Sequence, residues 1–420
     1  MCSKDSNDVT DEMTPRRRAL APLTIIAAAL LTCLLSAQAP STLSLTDALA
    51  RAVEASPAAL AARAARPIDV GGVDVARQRP NPDFGFEYAK ETPHWAFTGS
   101  VPLEIAGKRQ RRIDVANATL AVTDAEMARV TADLRADVRR AYFNVVAANR
   151  RITIAQELET LATRARDAAQ ERFQTGAAPR LEALQAGLAL AQAQNDVTVA
   201  RGEATAARAE LNALLAYPSD AAPSLADALD GGPLPSLDAA RQQTIASNAE
   251  LNVLQKRIEE AKARAGLARA MRRPDPSVMG ALTYDSPGEF TTGWRVGANI
   301  ALPIFTTGKA DVVVADATVA RAEVDRQARL AAITGAVAAA LAHATAAHQT
   351  LDRYTTELLP ASQQVEQMAD ESYRAGQTGL PAYLQTVQAA RDVRTRALQA
   401  GLDYQLALAE LERAMGTPLK

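Results

Sequence analysis

The sequence predicts a mainly α-helical protein with a small β part, in which one structural unit occurs twice. Each unit consists of a helix, a pair of short strands and a long helical hairpin. Three observations support this prediction: two very long helical patterns, two pairs of short segments in which apolar and polar residues alternate, and landmarks of the first half that recur in the second. Only 4% of the 420 residues are aromatic, whereas 48% are hydrophobic. This composition suits closely spaced helices better than a bulky core.

The N-terminal 39 residues have the features of an export signal. Three arginines at 16–18 precede an apolar run at 19–35, and Ala-Gln-Ala at 37–39 offers a cleavage site with small residues. We therefore interpret residues 1–39 as a signal peptide.

Both cysteines, Cys2 and Cys33, lie within this segment. Because Leu-Leu-Thr-Cys at 30–33 resembles an imperfect lipobox, lipidation at Cys33 is the alternative to simple cleavage. Cleavage after residue 39 leaves no cysteine, and hence neither a disulfide nor a thiol nucleophile. The longest later apolar run, 330–342, has about thirteen residues, short of the roughly 18 that a transmembrane helix needs. An exported chain of this kind is periplasmic, extracellular or inserted as a β-barrel.

The first unit opens with a helix and two strands. Residues 45–77 follow a helical pattern, which begins after Ser44 and ends before Pro-Asn-Pro at 80–82. Between about 82 and 103, apolar and polar residues alternate, which is typical of strands with one apolar and one polar face. The apolar positions are Phe84, Phe86, Tyr88, Trp95, Phe97, Val101 and Leu103.

A long helical hairpin, 108–217, follows the strands. Its first arm, 108–174, would be roughly 100 Å long and its second arm, 179–216, about 55 Å, at 1.5 Å per residue. Gly176 lies where the first arm ends, and Pro179 lies where the second begins. In the first arm, apolar residues recur at steps of four and three, the heptad spacing of helices packed along a seam. These positions are Leu134, Val138, Ala141, Val145, Ala148, Ile152 and Ala155.

The same order of elements then recurs after a linker rich in Pro, Gly and Asp. A helical pattern at 237–272 precedes two predicted strands at about 277–302 and a second long hairpin at 309–416. The predicted organisation is a signal peptide at 1–39, a first unit at 40–217, a linker at 218–236 and a second unit at 237–420.

The recurrence is too regular to be accidental. Gly376, at the second hairpin tip, lies 200 positions after Gly176, and Leu-Gln at 184–185 recurs at 384–385. This period is far longer than that of an ordinary solenoid repeat. We therefore interpret the chain as a duplication of one unit.

The four predicted strands indicate in which cellular compartment the protein lies. They cannot close on themselves, because about eight strands are the practical minimum for a barrel, and an isolated sheet would expose two edges and an aromatic face to water. If the strands enter an outer membrane, several chains must therefore combine them. The predicted lipid-facing residues are Phe84, Phe86, Tyr88, Trp95, Phe97, Tyr284 and Trp294. The predicted lumen-facing residues are Glu87, Thr98, Ser100, Arg295 and Asn299. The alternative is two ordinary β-hairpins that cover a periplasmic core.

Two motifs and the order of elements resemble the TolC-like outer-membrane efflux factors, over essentially all of the mature chain. Val-Pro-Leu-Glu-Ile-Ala-Gly-Lys-Arg at 101–109 is similar to the heavy-metal cation (CzcC-like) branch, and Leu-Pro-Ile-Phe at 302–305 is similar to the family motif of the second half. The resemblance implies a homotrimer with a 12-stranded outer-membrane β-barrel continued by a periplasmic α-helical barrel. It also implies an exit duct of a tripartite efflux system that passively conducts heavy-metal cations.

The resemblance implies the partners as well: a periplasmic membrane-fusion adaptor, an inner-membrane pump of the RND type and outer-membrane lipid. The adaptor would contact the hairpin tips, which here are Arg172, Phe173, Gly176, Leu181, Glu182, Tyr373, Gly376, Leu380 and Leu384. Both glycines also suit helix C-caps. Some relatives narrow the periplasmic mouth with aspartates after the second tip, where this chain has Ala382 and Gln385. An acidic gate would therefore have to come from Glu182 or from elsewhere in the chain.

Patterns for catalysis, cofactors or metals are not found. His343 and His348 are five residues apart and do not share a helix face, so they do not form a helical metal pair. The net charge is −2 and the charged residues are dispersed, which excludes a nucleic-acid footprint. We therefore predict no enzyme activity, no cofactor and no resident metal site.

Alternative functions remain at this stage. A drug, organic-solute or type I secretion channel would have the same fold. A soluble periplasmic coiled-coil adaptor would explain the hairpins, but it would also require a lipoyl-like β domain, and the sequence does not predict one. An exported scaffold or hydrolase would be a soluble monomer.

Overall fold

The computed structural model describes residues 42–91, 93–284 and 292–419, so the predicted signal peptide and Cys33 lie outside the described residues. The first unit and the linker contain β1 (Thr42–Leu43), α1 (Leu45–Ala55), α2 (Pro57–Arg77), β2 (Asp83–Tyr88), β3 (Trp95–Pro102), α3 (Lys108–Gln174), α4 (Arg180–Leu215) and β4 (Ser224–Leu225). The second unit contains α5 (Leu237–Ser247), α6 (Ala249–Met271), β5 (Pro276–Tyr284), β6 (Gly293–Ile300), α7 (Lys309–Arg353), a π-helical turn (Tyr354–Leu358), α8 (Leu359–Arg374) and α9 (Leu380–Met415).

Each unit opens with two helices where the sequence analysis predicted one, so that prediction was wrong. The first unit breaks at Ser56, whose backbone is extended with a ψ of 137°. Pro57 follows, and a proline disfavours the helical conformation in the residue before it. The second unit breaks at Asn248, with a ψ of 124°. The Asn248 side chain accepts a hydrogen bond from the Leu251 amide (3.0 Å) and thereby caps α6.

The four long strands form one antiparallel sheet in the order β2-β3-β5-β6. The two units therefore meet at the β3–β5 pair, where Val101 lies opposite Val278. The pairings inside the two units correspond, because Phe84 lies opposite Gly99 in the first and Val278 lies opposite Ala298 in the second. Among the described residues, β2 and β6 have no strand on their outer sides. The duplication is thus visible in the register of the sheet.

Both helical hairpins leave the same end of the sheet, because β3 and β6 are both antiparallel to β5. α3 has 67 residues, which makes it about 100 Å long. In the second hairpin, a five-residue π-helical turn separates α7 from α8. Pro360 lies just after this turn, and it has no N–H to donate to the carbonyl of Thr356. The wider turn accommodates the proline within the long arm.

Small side chains form most of the core between the helices. Alanine is the commonest buried residue in the described chain, and its small side chain allows helix axes to approach closely. The largest cluster joins Val138 and Val145 of α3 with Leu211 of α4 and Leu402 of α9. The two hairpins therefore pack against each other through α3 and α9.

The linker is fixed to the first unit by a buried polar cluster. β1 and β4 form a short parallel pair. The fully buried Tyr142 hydroxyl lies 2.7 Å from the Asp227 carboxylate and 2.9 Å from the Leu43 carbonyl, while the Leu45 amide donates to Asp227 (2.7 Å). Burial, followed by the hydrogen bond to Asp227, raises the pKa of Tyr142 to about 12. These contacts hold the start of α1 and the linker against α3.

One helical stretch of the described residues, Lys309–Arg374, is long and apolar enough to cross a membrane by length and composition. Its most apolar 18-residue window has a mean hydropathy of 1.6, and 22% of that window is buried. The prediction that no later apolar span reaches this length was therefore wrong, because alanines continue the apolar run beyond His343. Val337 and Ala344 in this helix are fully buried, so the stretch contributes to the helical core.

Candidate functional site

The seven predicted lipid-facing residues lie on one face of the sheet. Residues opposite each other in antiparallel strands point to the same side, and the register pairs Tyr88 with Trp95 and Trp95 with Tyr284. The seven side chains are between 40% and 86% exposed. The same face carries further exposed apolar residues that were not among the predicted lipid contacts: Val101, Val278, Leu282, Val296 and Ile300. An apolar surface of this kind is suited to lipid acyl chains.

The opposite face of the sheet carries mostly small and polar side chains. Thr98 lies opposite Ala281, which lies opposite Arg295, so these three residues share this face. Its members in the register are Asp83, Gly85, Glu87, Ala96, Thr98, Ser100, Pro102, Ser277, Met279, Ala281, Thr283, Gly293, Arg295, Gly297 and Asn299. All five predicted lumen-facing residues are in this set. A barrel built from such sheets would have a polar lining.

A buried ion pair connects the sheet to the hairpin. Lys108 Nζ lies 2.7 Å from Asp275 Oδ2, and the Lys108 side chain is only 5% exposed. Asp275 also accepts a hydrogen bond from the Ile105 amide (3.0 Å). Gly107, with a φ of 70°, turns the chain into α3 and places Lys108 at this contact. The Gly-Lys-Arg motif thus joins the base of the first hairpin to the second unit, a role that sequence reasoning missed because Asp275 is distant along the chain.

The two hairpin tips have the same backbone geometry. Gly176 and Gly376 have φ values of 76° and 72°, in the left-handed region that favours glycine. The residue after each glycine donates its amide to a carbonyl five residues earlier: Ala177 to Arg172 (2.8 Å) and Gln377 to Ser372 (3.0 Å). Each tip is therefore a glycine-dependent helix C-cap.

A small network joins the two tips, and we call it the tip clasp: Arg172, Glu182, Tyr373 and Tyr383. Arg172 of the first hairpin pairs with Glu182 (3.2 Å) and lies over the Tyr373 ring of the second (5.8 Å). The Tyr373 hydroxyl donates to Glu182 (3.4 Å), and its ring stacks on Tyr383 at 4.7 Å. Burial raises the pKa of Tyr373. Burial and the nearby Asp370 raise the pKa of Tyr383 to about 12. The clasp holds the hairpins together where they are farthest from the sheet.

The predicted adaptor-contact residues divide into exposed and buried groups. Leu181 is 62% exposed and Phe173 is 38% exposed, whereas Tyr373 and Leu380 are buried between the hairpins at 6% and 1%. Leu384 packs against the same buried cluster. Tyr373 and Leu380 therefore pack within the tip in this structure, and they are not part of the surface that is exposed to a partner. Two exposed leucines of α4 extend that surface, although sequence reasoning did not select them: Leu184 and Leu188.

The possible acidic gate at Glu182 does not present a free carboxylate. Its side chain is 14% exposed and is paired with Arg172. Within the part of the chain that the structure describes, no group of three or more His, Cys, Asp or Glu side chains is placed to hold a metal ion. His348 contacts Asp352 (3.1 Å) and packs edge-on against Tyr404.

Comparison with known proteins identifies the family. The sequence matches the outer membrane efflux protein family over residues 47–216 and 240–417. It is 26% identical over 356 residues to the cobalt-zinc-cadmium resistance protein CzcC of Cupriavidus metallidurans, covering 83% of this chain and 82% of CzcC.

The fold is similar to solved outer membrane channels. For CmeC of Campylobacter jejuni the TM-score is 0.73 at 16% identity, covering 89% of this chain and 85% of CmeC. For the open state of MtrE of Neisseria gonorrhoeae the TM-score is 0.71 at 20% identity, covering 90% and 89%. The resemblance to TolC-like efflux factors is confirmed. The chain therefore belongs to the outer membrane efflux protein family, as an outer-membrane channel protein with a periplasmic helical extension and not an enzyme.

Proposed function

We propose that three copies of this chain form the exit duct of a tripartite efflux system, which conducts its cargo passively from the periplasm to the exterior. The observation that carries the proposal is the four-stranded sheet, which has an exposed aromatic face and whose two edges pair with no further strand of the described residues. Because a closed barrel needs about eight strands or more, one sheet cannot close alone. Three sheets of four strands would supply the twelve strands of the proposed barrel.

The helical hairpins would continue this barrel on the periplasmic side. Both leave the same end of the sheet, and α3 alone would extend about 100 Å from it. Three pairs of hairpins side by side would enclose a helical tube. Outer-membrane extraction of a detergent-soluble trimer supports this assembly, and a soluble monomer in the periplasmic fraction contradicts it.

The hairpin tips would receive the periplasmic adaptor, which in turn would connect to an inner-membrane pump. The exposed tip leucines and Phe173 offer an apolar contact surface far from the sheet. Gly176→Pro and Gly376→Pro are expected to abolish export but not membrane insertion or trimers, because proline cannot adopt a positive φ. Gly187→Ala is the control, since Gly187 lies within α4 with open space around it. Normal export by both proline variants would place adaptor docking elsewhere.

The proposed cargo is heavy-metal cations, on the basis of the similarity to CzcC across most of both chains. Drug or organic-solute efflux and type I secretion are the alternatives on the same fold. The test is to delete the gene in its native host, where the partner adaptor and pump are present, and to restore it on a plasmid. Restored tolerance to cobalt, zinc or cadmium salts supports the proposal. Restored tolerance to organic toxins alone supports the alternative.

A further inference from the structure

Two arginines from different units line one cavity among the helices. The cavity has a volume of about 630 Å³ and lies between α3, the α5–α6 junction, α7 and the end of α9. Arg135 projects from α3 and Arg326 from α7. Ile245, which is 54% exposed, lies at its edge, so solvent reaches the cavity. A volume of this size is within the usual range for small-molecule sites.

Each of these two arginines has a buried Nε–H group without an acceptor among the described residues. Within the described residues, five arginines have a buried Nε without a hydrogen-bond partner: Arg135, Arg139, Arg166, Arg326 and Arg413. Three of them are compensated by an ion pair with a carboxylate, namely Arg139, Arg166 and Arg413. Arg135 and Arg326 form no hydrogen bond or ion pair with any described residue. A buried N–H normally has an acceptor, and for the Nε–H of Arg135 and of Arg326 the described residues supply none.

The remaining lining is favourable for an anion. The N-terminus of the 23-residue helix α6 borders the cavity at Asn248 and Ala249 and contributes positive potential. The Asn252 side chain also lines it and has no hydrogen-bond partner among the described residues. Among the described residues that line the cavity, the one carboxylate is that of Glu412. It is already paired with Arg139 (3.0 Å) and accepts a hydrogen bond from the Leu419 amide (3.0 Å). The cavity therefore keeps an excess of positive charge.

We propose that this cavity binds a small oxyanion, a phosphate or carboxylate group, held between the guanidinium groups of Arg135 and Arg326. The planar N–H fork of arginine matches the geometry of both groups. Because the two arginines belong to different units, a bound anion would connect α3 with α7, which both pack against α6. The site is separate from the sheet faces and from the hairpin tips.

The test uses the full chain purified in detergent and titrated calorimetrically at constant ionic strength, with inorganic phosphate in one arm and succinate in the other. We expect saturable binding of at least one probe, with one site per chain. Arg135→Gln and Arg326→Gln should each weaken binding about tenfold or more, because each removes charge-assisted hydrogen bonds. Arg353→Gln, at the exposed end of α7, should leave binding unchanged. A preference for phosphate or for succinate identifies the group that the site takes.

A second variant separates binding from folding. Ala132→Glu places a carboxylate in the cavity lining, one helical turn before Arg135. It should raise the melting temperature of the ligand-free protein and abolish phosphate and succinate binding, since the carboxylate takes the place of the ligand. The proposal is overturned if the wild-type protein shows no saturable binding of either probe. It is also overturned if the double variant Arg135→Gln/Arg326→Gln binds as well as the wild type.

Discussion

The buried pair Lys108–Asp275 should contribute more to stability than any exposed ion pair at the same distance. At an effective dielectric constant of about 20, the attraction across 2.7 Å is about 6 kcal/mol, and desolvation of both charges offsets much of it. Removing one partner leaves the other charge buried, which typically costs 3–5 kcal/mol. Asp275 is 30% exposed, and in the variant it would still accept the hydrogen bond from the Ile105 amide. We therefore expect Lys108→Met to lower the free energy of unfolding by about 3 kcal/mol, the lower end of this range.

The assay is denaturant unfolding of the detergent-purified protein at a fixed concentration, since the stability of an oligomer depends on concentration. The control is Lys262→Met, because Lys262 lies 2.8 Å from Glu323 but both side chains are more than half exposed. That variant should cost no more than about 1 kcal/mol. Lys108→Met and Asp275→Asn should be strongly non-additive in the double variant. Equal effects of Lys108→Met and Lys262→Met, or full additivity, would refute the reasoning.

Charge on the apolar sheet face should block insertion: Phe97→Arg should cost about 2–4 kcal/mol per chain and reduce the outer-membrane fraction. The adjacent Thr98→Arg, on the opposite face, should insert normally, and equal losses would contradict the assignment of faces. Glu182→Gln removes the carboxylate of the tip clasp and should increase single-channel conductance in planar bilayers, whereas unchanged conductance would mean that the clasp does not restrict the pore. The raised pKa of Tyr383, about 12, means that its neutral form is favoured on folding. Stability should therefore be complete below about pH 10 and fall between pH 10 and 12, and Tyr383→Phe should flatten that decline in thermal unfolding.

Local patterns in the sequence predicted the parts of the fold that depend on local physics. The heptad spacing from Leu134 to Ala155 predicted a long helix, and α3 extends over this stretch from Lys108 to Gln174. Alternation around Phe84 and Trp294 predicted two pairs of strands. The helical pattern at 45–77 did not predict the break at Ser56, although Pro57 is a local signal for it.

The contacts that connect distant segments could not be predicted. Lys108 and Asp275 are brought together by the β3–β5 pairing, which joins the two units, and no local pattern specifies it. The burial of Tyr373 likewise depends on stacking between two arms of a hairpin and on a contact with the other tip. The proposed anion cavity could not be predicted either, because its two arginines come from different units and no local pattern places them together.

The edge strands offer the most direct test that several copies share one barrel. If Phe84 in β2 is taken as the counterpart of Val278 in β5, the pairings inside the two units make Ile300 in β6 the counterpart of Val101 in β3. Since Val101 lies opposite Val278, Ile300 of one copy should lie opposite Phe84 of the next. The same antiparallel register places Gly297 of one copy opposite Glu87 of its neighbour.

Paired residues in antiparallel strands are close enough for a disulfide. The measurement is oxidative cross-linking of the variant Glu87→Cys/Gly297→Cys in outer membranes, read as covalent species on a denaturing gel. We expect covalent dimers and trimers that reducing agent removes, and none from Glu87→Cys/Ala281→Cys, because Ala281 lies in a central strand. If Glu87→Cys/Gly297→Cys remains monomeric while the protein is inserted and functional, the sheets of separate copies do not join at these edges.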